Sequence, residues 1–128
     1  MIAGIGVDIV ELERIRQIHN RYGEKFARRI LDDHELAEYR KATSKERLLA
    51  KRFAAKEAAS KALGTGFSNG ITLNMIGVRH DSNGRPLLEL SSDAAAYAGK
   101  LGVARRWLSI SDEKNYSIAM VVLESVSD

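Results

Sequence analysis

Arg52-Phe53-Ala54-Ala55-Lys56-Glu57-Ala58-Ala59-Ser60-Lys61-Ala62-Leu63-Gly64 lies within the longest helical pattern of the chain, and its reading decides the fold. The pattern begins at Ser44, runs to Leu63 and stops at Gly64, a residue suited to the left-handed conformation that closes a helix. On a helical wheel Leu48, Ala55, Ala59, Ala62 and Leu63 fall within about 100° of arc, which predicts a buried stripe. Phe53, Glu57 and Lys61 are spaced i, i+4, i+8 and line a face roughly 180° away. A solvated surface accounts for a Glu–Lys pair, worth ~0.3–0.5 kcal/mol, but gives no reason for the aromatic beside it. Lys56 lies ~100° around the helix from Glu57 and reads as an ordinary lysine, more tolerant of change to Met than Lys61.

Ahead of this helix, residues 2–10 alternate as a strand, with Ala3, Ile5, Val7 and Ile9 on one face and Ile2, Gly4, Gly6 and Asp8 on the other. Asp8 and Glu11 have the spacing of a capping box, which predicts a helix from about Glu11 to Tyr22, broken by Gly23. Shorter helices follow at Lys25–Ile30 and from Asp32 or Asp33 to Lys41. After the long helix, Gly70–Arg79 and Arg85–Leu90 read as a hairpin across Asp81-Ser82-Asn83-Gly84. The first arm changes phase between Met75 and Ile76, which predicts a bulge or a late strand start. An Ala-rich helix capped by Ser92 or Asp93 runs to Leu101, and Arg106–Ser111 and Tyr116–Glu124 close the chain as strands. The last strand is apolar on both faces, which predicts a central place in its sheet. The expected class is α+β: a largely antiparallel sheet packed against a long helix, in one domain spanning 1–128.

Composition narrows the function. The 128 residues carry a net charge of +3, a hydrophobic fraction of 45% and no Cys. Wholesale disorder, a disulfide scaffold, a thiolate nucleophile and Cys-based metal sites are excluded. The opening residues have no basic region ahead of an apolar run, so no signal peptide is read there, and a cytoplasmic location is the expectation. No apolar stretch is long enough to span a membrane.

Three places offer chemistry. Asp8 is either a helix cap or a free carboxylate, and the glycines at 4 and 6 on its face clear space for something to approach the backbone. Gly64-Thr65-Gly66 follows the long helix directly; Gly64 suits the cap, and Gly66 offers backbone to a ligand, at a spacing that fits neither a Walker A loop nor a dinucleotide fingerprint. Between residues 14 and 29, Arg14, Arg16, Arg21, Lys25, Arg28 and Arg29 face the lone acid Glu24. That local excess of five positive charges suits an acidic partner, or is simply a solvated face. His19, His34 and His80 are scattered and receive only surface or core roles.

Two motifs, Gly4-Ile5-Gly6-Val7-Asp8-Ile9-Val10-Glu11 and the stretch from Arg52 to Gly66, stand in this order about fifty residues apart. Together with Asn83-Gly84-Arg85-Pro86 and the closing strand pair, they resemble the holo-[acyl-carrier-protein] synthase family, the small bacterial 4′-phosphopantetheinyl transferases. The resemblance covers essentially the whole chain. It implies transfer of the 4′-phosphopantetheine arm of coenzyme A to a serine of apo-acyl carrier protein in fatty acid biosynthesis, with release of adenosine 3′,5′-bisphosphate. It implies Mg²⁺ held by Asp8 and Glu57, Lys61 near the phosphates, and a homotrimer with sites between subunits. Glu57 and Lys61 are then the catalytic residues, and Phe53, Lys61, Gly64 and Gly66 the coenzyme A contacts. Arg14, Arg21 and Arg28 meet the acidic carrier protein. Two carboxylates plus substrate phosphate oxygens are a usual set for this hard cation. The base that takes the serine proton is either Glu57 or a water on the metal.

The chain departs from the family at Asp112, where many members carry a histidine near the nucleotide end of coenzyme A. Arg52, Arg85 and Lys114 are the cations offered in its stead. Two other readings compete: a basic module that binds nucleic acid through residues 14–29, and a structural subunit whose Glu57–Lys61 pair is surface decoration.

Overall fold

A computed structural model describes residues 1–64 and 70–126. Strand β1 (Ile2–Glu11) leads into three helices, α1 (Leu12–Tyr22), α2 (Glu24–Ile30) and α3 (Asp33–Lys41), and then the long α4 (Lys45–Leu63). A 3₁₀ turn at Leu73–Met75 precedes the hairpin β2 (Ile76–His80) and β3 (Pro86–Leu90). Helix α5 (Ser92–Lys100) and strands β4 (Val103–Asp112) and β5 (Tyr116–Ser125) follow. The strands form two antiparallel sheets, one of order β1-β5-β4 and the other the β2-β3 pair. The expected class holds, and β5 is central as its sequence predicts.

The phase change at Met75/Ile76 is a late strand start, because the 3₁₀ turn occupies the residues before it. In the hairpin turn, Asp81 Oδ1 accepts from the backbone N–H groups of Asn83 and Arg85, each at 2.9 Å. Asp32 caps α3 in a full capping box with Glu35. Helix α5 starts after Ser91 with no side-chain cap, so neither Ser92 nor Asp93 plays the expected part. At the start of α1 the expectation also fails: β1 continues through Asp8 to Glu11, which is the N-cap residue and makes no side-chain cap bond. Pairing with β5 outcompetes the cap, since Asp8 lies opposite Ala119 within an unbroken ladder.

Helix α4 crosses one face of the three-stranded sheet. Gly4 and Gly6 point at it, and a Cβ on Gly6 would lie 2.0 Å from the Ala58 carbonyl oxygen, one on Gly4 1.9 Å from that of Ala62. The space these glycines clear is filled by helix backbone. Their register partners Leu123 and Val121, with Ala119 opposite Asp8, are buried on the same face. Of the stripe expected for α4, Ala55, Ala59, Ala62 and Leu63 are buried and Leu48 only half-buried, while Leu49, Ala50, Arg52, Ala54, Lys56, Ala58 and Ser60 are buried as well. Phe53 and Glu57 stay half-buried and Lys61 exposed, so the least covered line of the helix is the one its spacing marks.

Lys56 overturns its expectation. It is fully buried, and its ammonium donates to Glu35 Oε1 at 2.7 Å, to the Leu73 carbonyl at 3.2 Å and to the Ile76 carbonyl. Glu35, also fully buried, accepts from the Val78 N–H at 3.0 Å. The pair ties α3 and α4 to the 3₁₀ turn and β2. Lys56→Met removes the ammonium bonded to the buried Glu35, which keeps only the more distant Arg52 guanidinium at 3.7 Å, and is expected to cost about 3 kcal/mol. Lys61→Met, at an exposed pair, is expected to cost less than about 1 kcal/mol. Urea unfolding of both variants measures the difference, and equal losses would contradict the buried pair.

Candidate active site

The close approach of β1 to α4 brings together residues that lie some fifty positions apart in the chain. Lys61 Nζ donates to Asp8 Oδ1 and to the Val7 carbonyl oxygen, both at 3.0 Å. Glu57 sits one turn before Lys61 on the same helix face. Its proton affinity is raised above the usual carboxylate range, first by burial and next by the negative charge of Asp8; Lys61 and Arg14 oppose the shift. Asp8, Glu57 and Lys61 therefore form one electrostatic cluster, with Arg14 of α1 at its border. Two partly buried carboxylates from different elements act on each other there, offset in part by Lys61 and Arg14.

That donor set fits a divalent cation. Among the described residues no group of three or more His, Asp or Glu side chains could enclose an ion. A site of two carboxylates suits a hard cation that fills its remaining positions with water and substrate oxygens. The Lys61 ammonium meets one of the two carboxylates, so the cluster already holds a positive charge at Asp8.

Phe53 lies apart from this cluster. With Ile18 and Tyr22 of α1, Phe26 of α2 and Leu73 it lines a cleft of about 820 Å³, edged by Lys25, Arg28 and Arg29. Arg28 pairs with Glu24 at 3.0 Å, and the Arg21 guanidinium lies 5.5 Å from the Tyr22 ring centre. Of the three arginines, Arg14 acts on the carboxylate cluster, Arg21 stacks on Tyr22 of the cleft wall, and Arg28 edges the cleft itself. Gly64 ends α4 in the left-handed conformation (φ +83°), with its N–H bonded to the Ser60 and Lys61 carbonyls. Gly66 lies outside the described residues.

The departure at Asp112 has a local explanation. Asp112 Oδ1 accepts from Arg47 Nη1 at 3.2 Å and from Ser117 Oγ at 3.1 Å. Arg47 also donates to the Glu113 and Lys114 carbonyls, which binds the β4–β5 turn to the first turns of α4. The acid is neutralised within the chain. Of the cations offered for the nucleotide, Arg52 is buried against Glu35 and Glu38, whereas the residues Arg85 and Lys114 are exposed. The Arg47–Asp112 pair escaped notice because its members lie 65 positions apart, and no local spacing signals it.

The chain belongs to the 4′-phosphopantetheinyl transferase superfamily, which it matches over residues 4–121. Among its relatives is the holo-[acyl-carrier-protein] synthase of Vibrio cholerae serotype O1, 52% identical over 124 residues, 97% of this chain and 98% of that one. The crystal structure of the holo-[acyl-carrier-protein] synthase from Neisseria meningitidis superposes with a TM-score of 0.92 at 42% identity, covering 98% of this chain and all of that one. The synthase from Bacillus anthracis, solved in complex with CoA (3′,5′-ADP), gives a TM-score of 0.82 at 38% identity and covers 98% of both chains.

The raised proton affinity of Glu57 has a consequence for stability. A carboxylate with a raised native pKa destabilises the fold once charged, so stability falls as pH rises from the ordinary glutamate value of about 4.3 through the raised one. Glu57→Gln is expected to melt at a higher temperature than the parent at pH 7 in metal-free buffer, and at the same temperature below about pH 4. Melting curves across this range measure the effect, and a variant no more stable at pH 7 would remove the repulsion between the carboxylates.

Proposed function

We propose that the Asp8–Glu57–Lys61 cluster is where this chain, a transferase of the 4′-phosphopantetheine arm from coenzyme A to acyl carrier protein, performs its reaction. The observation that carries this reading is the pair of mutually repelling carboxylates with a lysine bonded to one of them. Asp8 and Glu57 would hold Mg²⁺. Bound there, the cation supplies charge neutralisation at the pyrophosphate and an orientation for in-line displacement.

The chain's own residues do the rest. The carrier's serine oxygen attacks the β-phosphorus of coenzyme A, and the bond from that phosphorus to the oxygen of the departing adenosine 3′,5′-bisphosphate breaks. The base that takes the serine proton is Glu57 or a water held at the cluster. Lys61, bonded to Asp8 at the cluster, would neutralise charge on the leaving bisphosphate. Gly64, at the end of α4, offers backbone to the coenzyme, and Gly66 is the further contact the sequence suggests. Arg14, Arg21 and Arg28 meet the acidic carrier. Phe53 would contact coenzyme A through its cleft, and the cleft's apolar floor and cationic edge also suit the carrier.

A homotrimer with sites between subunits is part of the proposal. Ile5, Val7, Ile9, Met120 and Trp107 are exposed on the sheet face turned away from α4, a contiguous apolar surface of the kind that marks association. A recess of about 380 Å³ lined by Ile5, Val7, Met120 and Lys61 joins this face to the cluster, so a neighbouring copy on the face would border Lys61. Fatty acid biosynthesis in the cytoplasm is the setting that fits an acyl carrier acceptor; among the described residues no helix is long and apolar enough to cross a membrane.

The direct test is intact-mass analysis of apo-acyl carrier protein incubated with the chain, coenzyme A and Mg²⁺. The carrier should gain the mass of the phosphopantetheine arm. Asp8→Asn, Glu57→Gln and Lys61→Met should each lower turnover about a hundredfold or more, the scale of losing an electrostatic contact made in the transition state. Lys61→Arg should recover part of the loss, since a planar fork replaces a compact ammonium. Mg²⁺ should raise the melting temperature of the parent and leave that of Asp8→Asn unchanged. Near-normal turnover in Glu57→Gln at saturating Mg²⁺ would remove this carboxylate from the site.

A further inference from the structure

Helix α1 carries two of the three arginines assigned to the carrier, yet it is anchored unevenly. Its buried residues, Leu12 and Ile15, both lie in its first half. From Arg16 to Tyr22 no residue is buried, and the helix then breaks at Gly23, where φ is +60°. In this second half His19 turns inward, its side chain 13% exposed. Its Nδ1 lies 2.8 Å from Glu46 Oε2 on α4, and its Nε2 lies 2.6 Å from the Tyr39 hydroxyl on α3. The His19 and Tyr39 rings meet edge to face, with centroids 5.8 Å apart. Tyr39 is itself buried, so its hydroxyl depends on this bond.

An apolar residue at this position would fill the space equally well, but apolar contact is non-directional. Two hydrogen bonds to different helices fix both the height and the rotation of α1. We infer that His19 is a positioning residue: its bonds to Glu46 and Tyr39 hold the second half of α1, and with it Arg21, in the bearing an acidic carrier protein meets. Arg14 lies beside Ile15 in the half that apolar burial already secures, and does not depend on His19. The inference rests on the proposal that α1 docks the carrier.

Steady-state kinetics of the full chain with coenzyme A and apo-acyl carrier protein test it. His19→Leu is expected to raise the KM for the carrier about five- to tenfold, the scale of one or two lost hydrogen bonds. The KM for coenzyme A should stay within about twofold, since the brace lies on the docking helix and outside the carboxylate cluster. His19→Gln, whose amide can donate to Glu46 and accept from Tyr39, should recover most of the loss. Arg21→Glu should cost less in the His19→Leu background than in the parent, and Arg14→Glu should cost the same in both. A purely structural role would weaken both arginines alike. If His19→Leu does not fold, as judged by thermal melting, Tyr39→Phe removes one bond of the brace and is measured in its place. An unchanged carrier KM, or costs at Arg21 as additive as those at Arg14, would overturn the inference. If neither arginine reversal changes the carrier KM in the parent, the docking reading fails, and the inference falls with it for that separate reason.

Discussion

The contact on which the rest depends is the approach of two backbones. Strand β1 meets helix α4 at Gly4 and Gly6, against the carbonyls of Ala62 and Ala58. Any side chain at these glycines would have to displace helix backbone, which has no rotamer to yield. Because the strand lies this close, Asp8, two residues beyond Gly6 on the same face, reaches the helix one turn after Glu57 and touches Lys61. With a larger residue at position 6 the sheet would stand further off, and the two carboxylates would no longer act on each other. The small residues of α4 serve the same end: Ala54, Ala55, Ala58, Ala59 and Ala62 are all buried and let the helix be enclosed nearly all round without holding its neighbours away.

Enclosure has a cost, and Lys56 carries it. A helix covered on most sides still has to be prevented from rotating, and a surface of alanines offers little to lock against. The buried Lys56–Glu35 pair supplies a lock with direction, since its bonds reach α3, the 3₁₀ turn and β2 at once. Lys56 precedes Glu57 in the chain, so the rotation that satisfies the buried ammonium also sets where the Glu57 carboxylate points. Desolvating such a pair is expensive, and its value lies in the single arrangement it permits.

Much of this was legible in local spacing. The line of Phe53, Glu57 and Lys61, the limits of α4, the hairpin turn and the central place of β5 follow from periodicity and turn chemistry within short windows. What failed depended on distant partners. Asp8 has the local signature of a cap, but a strand partner more than a hundred residues away in sequence claims its backbone. Lys56 in an Ala-rich helix looks solvated until Glu35 and two carbonyls arrive from elsewhere. His19 has no ligand spacing because its partners lie 20 and 27 positions away. Phe53, grouped with Glu57 by helical spacing, opens onto the cleft shared with α1 and α2, since the first half of α4 passes those helices and the second half passes the sheet.

The strand β1 also ties the site to the outer surface of the molecule. Successive residues of a strand point to opposite faces, so Gly6 and Asp8 face α4 while Ile5, Val7 and Ile9 face outward. A slip of one residue in the pairing with β5 would put Val7 at the carboxylate position and Asp8 among exposed aliphatic groups. It would also drive Ile5 and Ala3 into the helix carbonyls that Gly6 and Gly4 accommodate. The glycines therefore protect the register from the inside, and the apolar outer residues punish a slip only where something covers them. A monomer in water gains little from five exposed aliphatic and aromatic side chains on one sheet face. The association proposed above would bury them beside the recess that Lys61 lines.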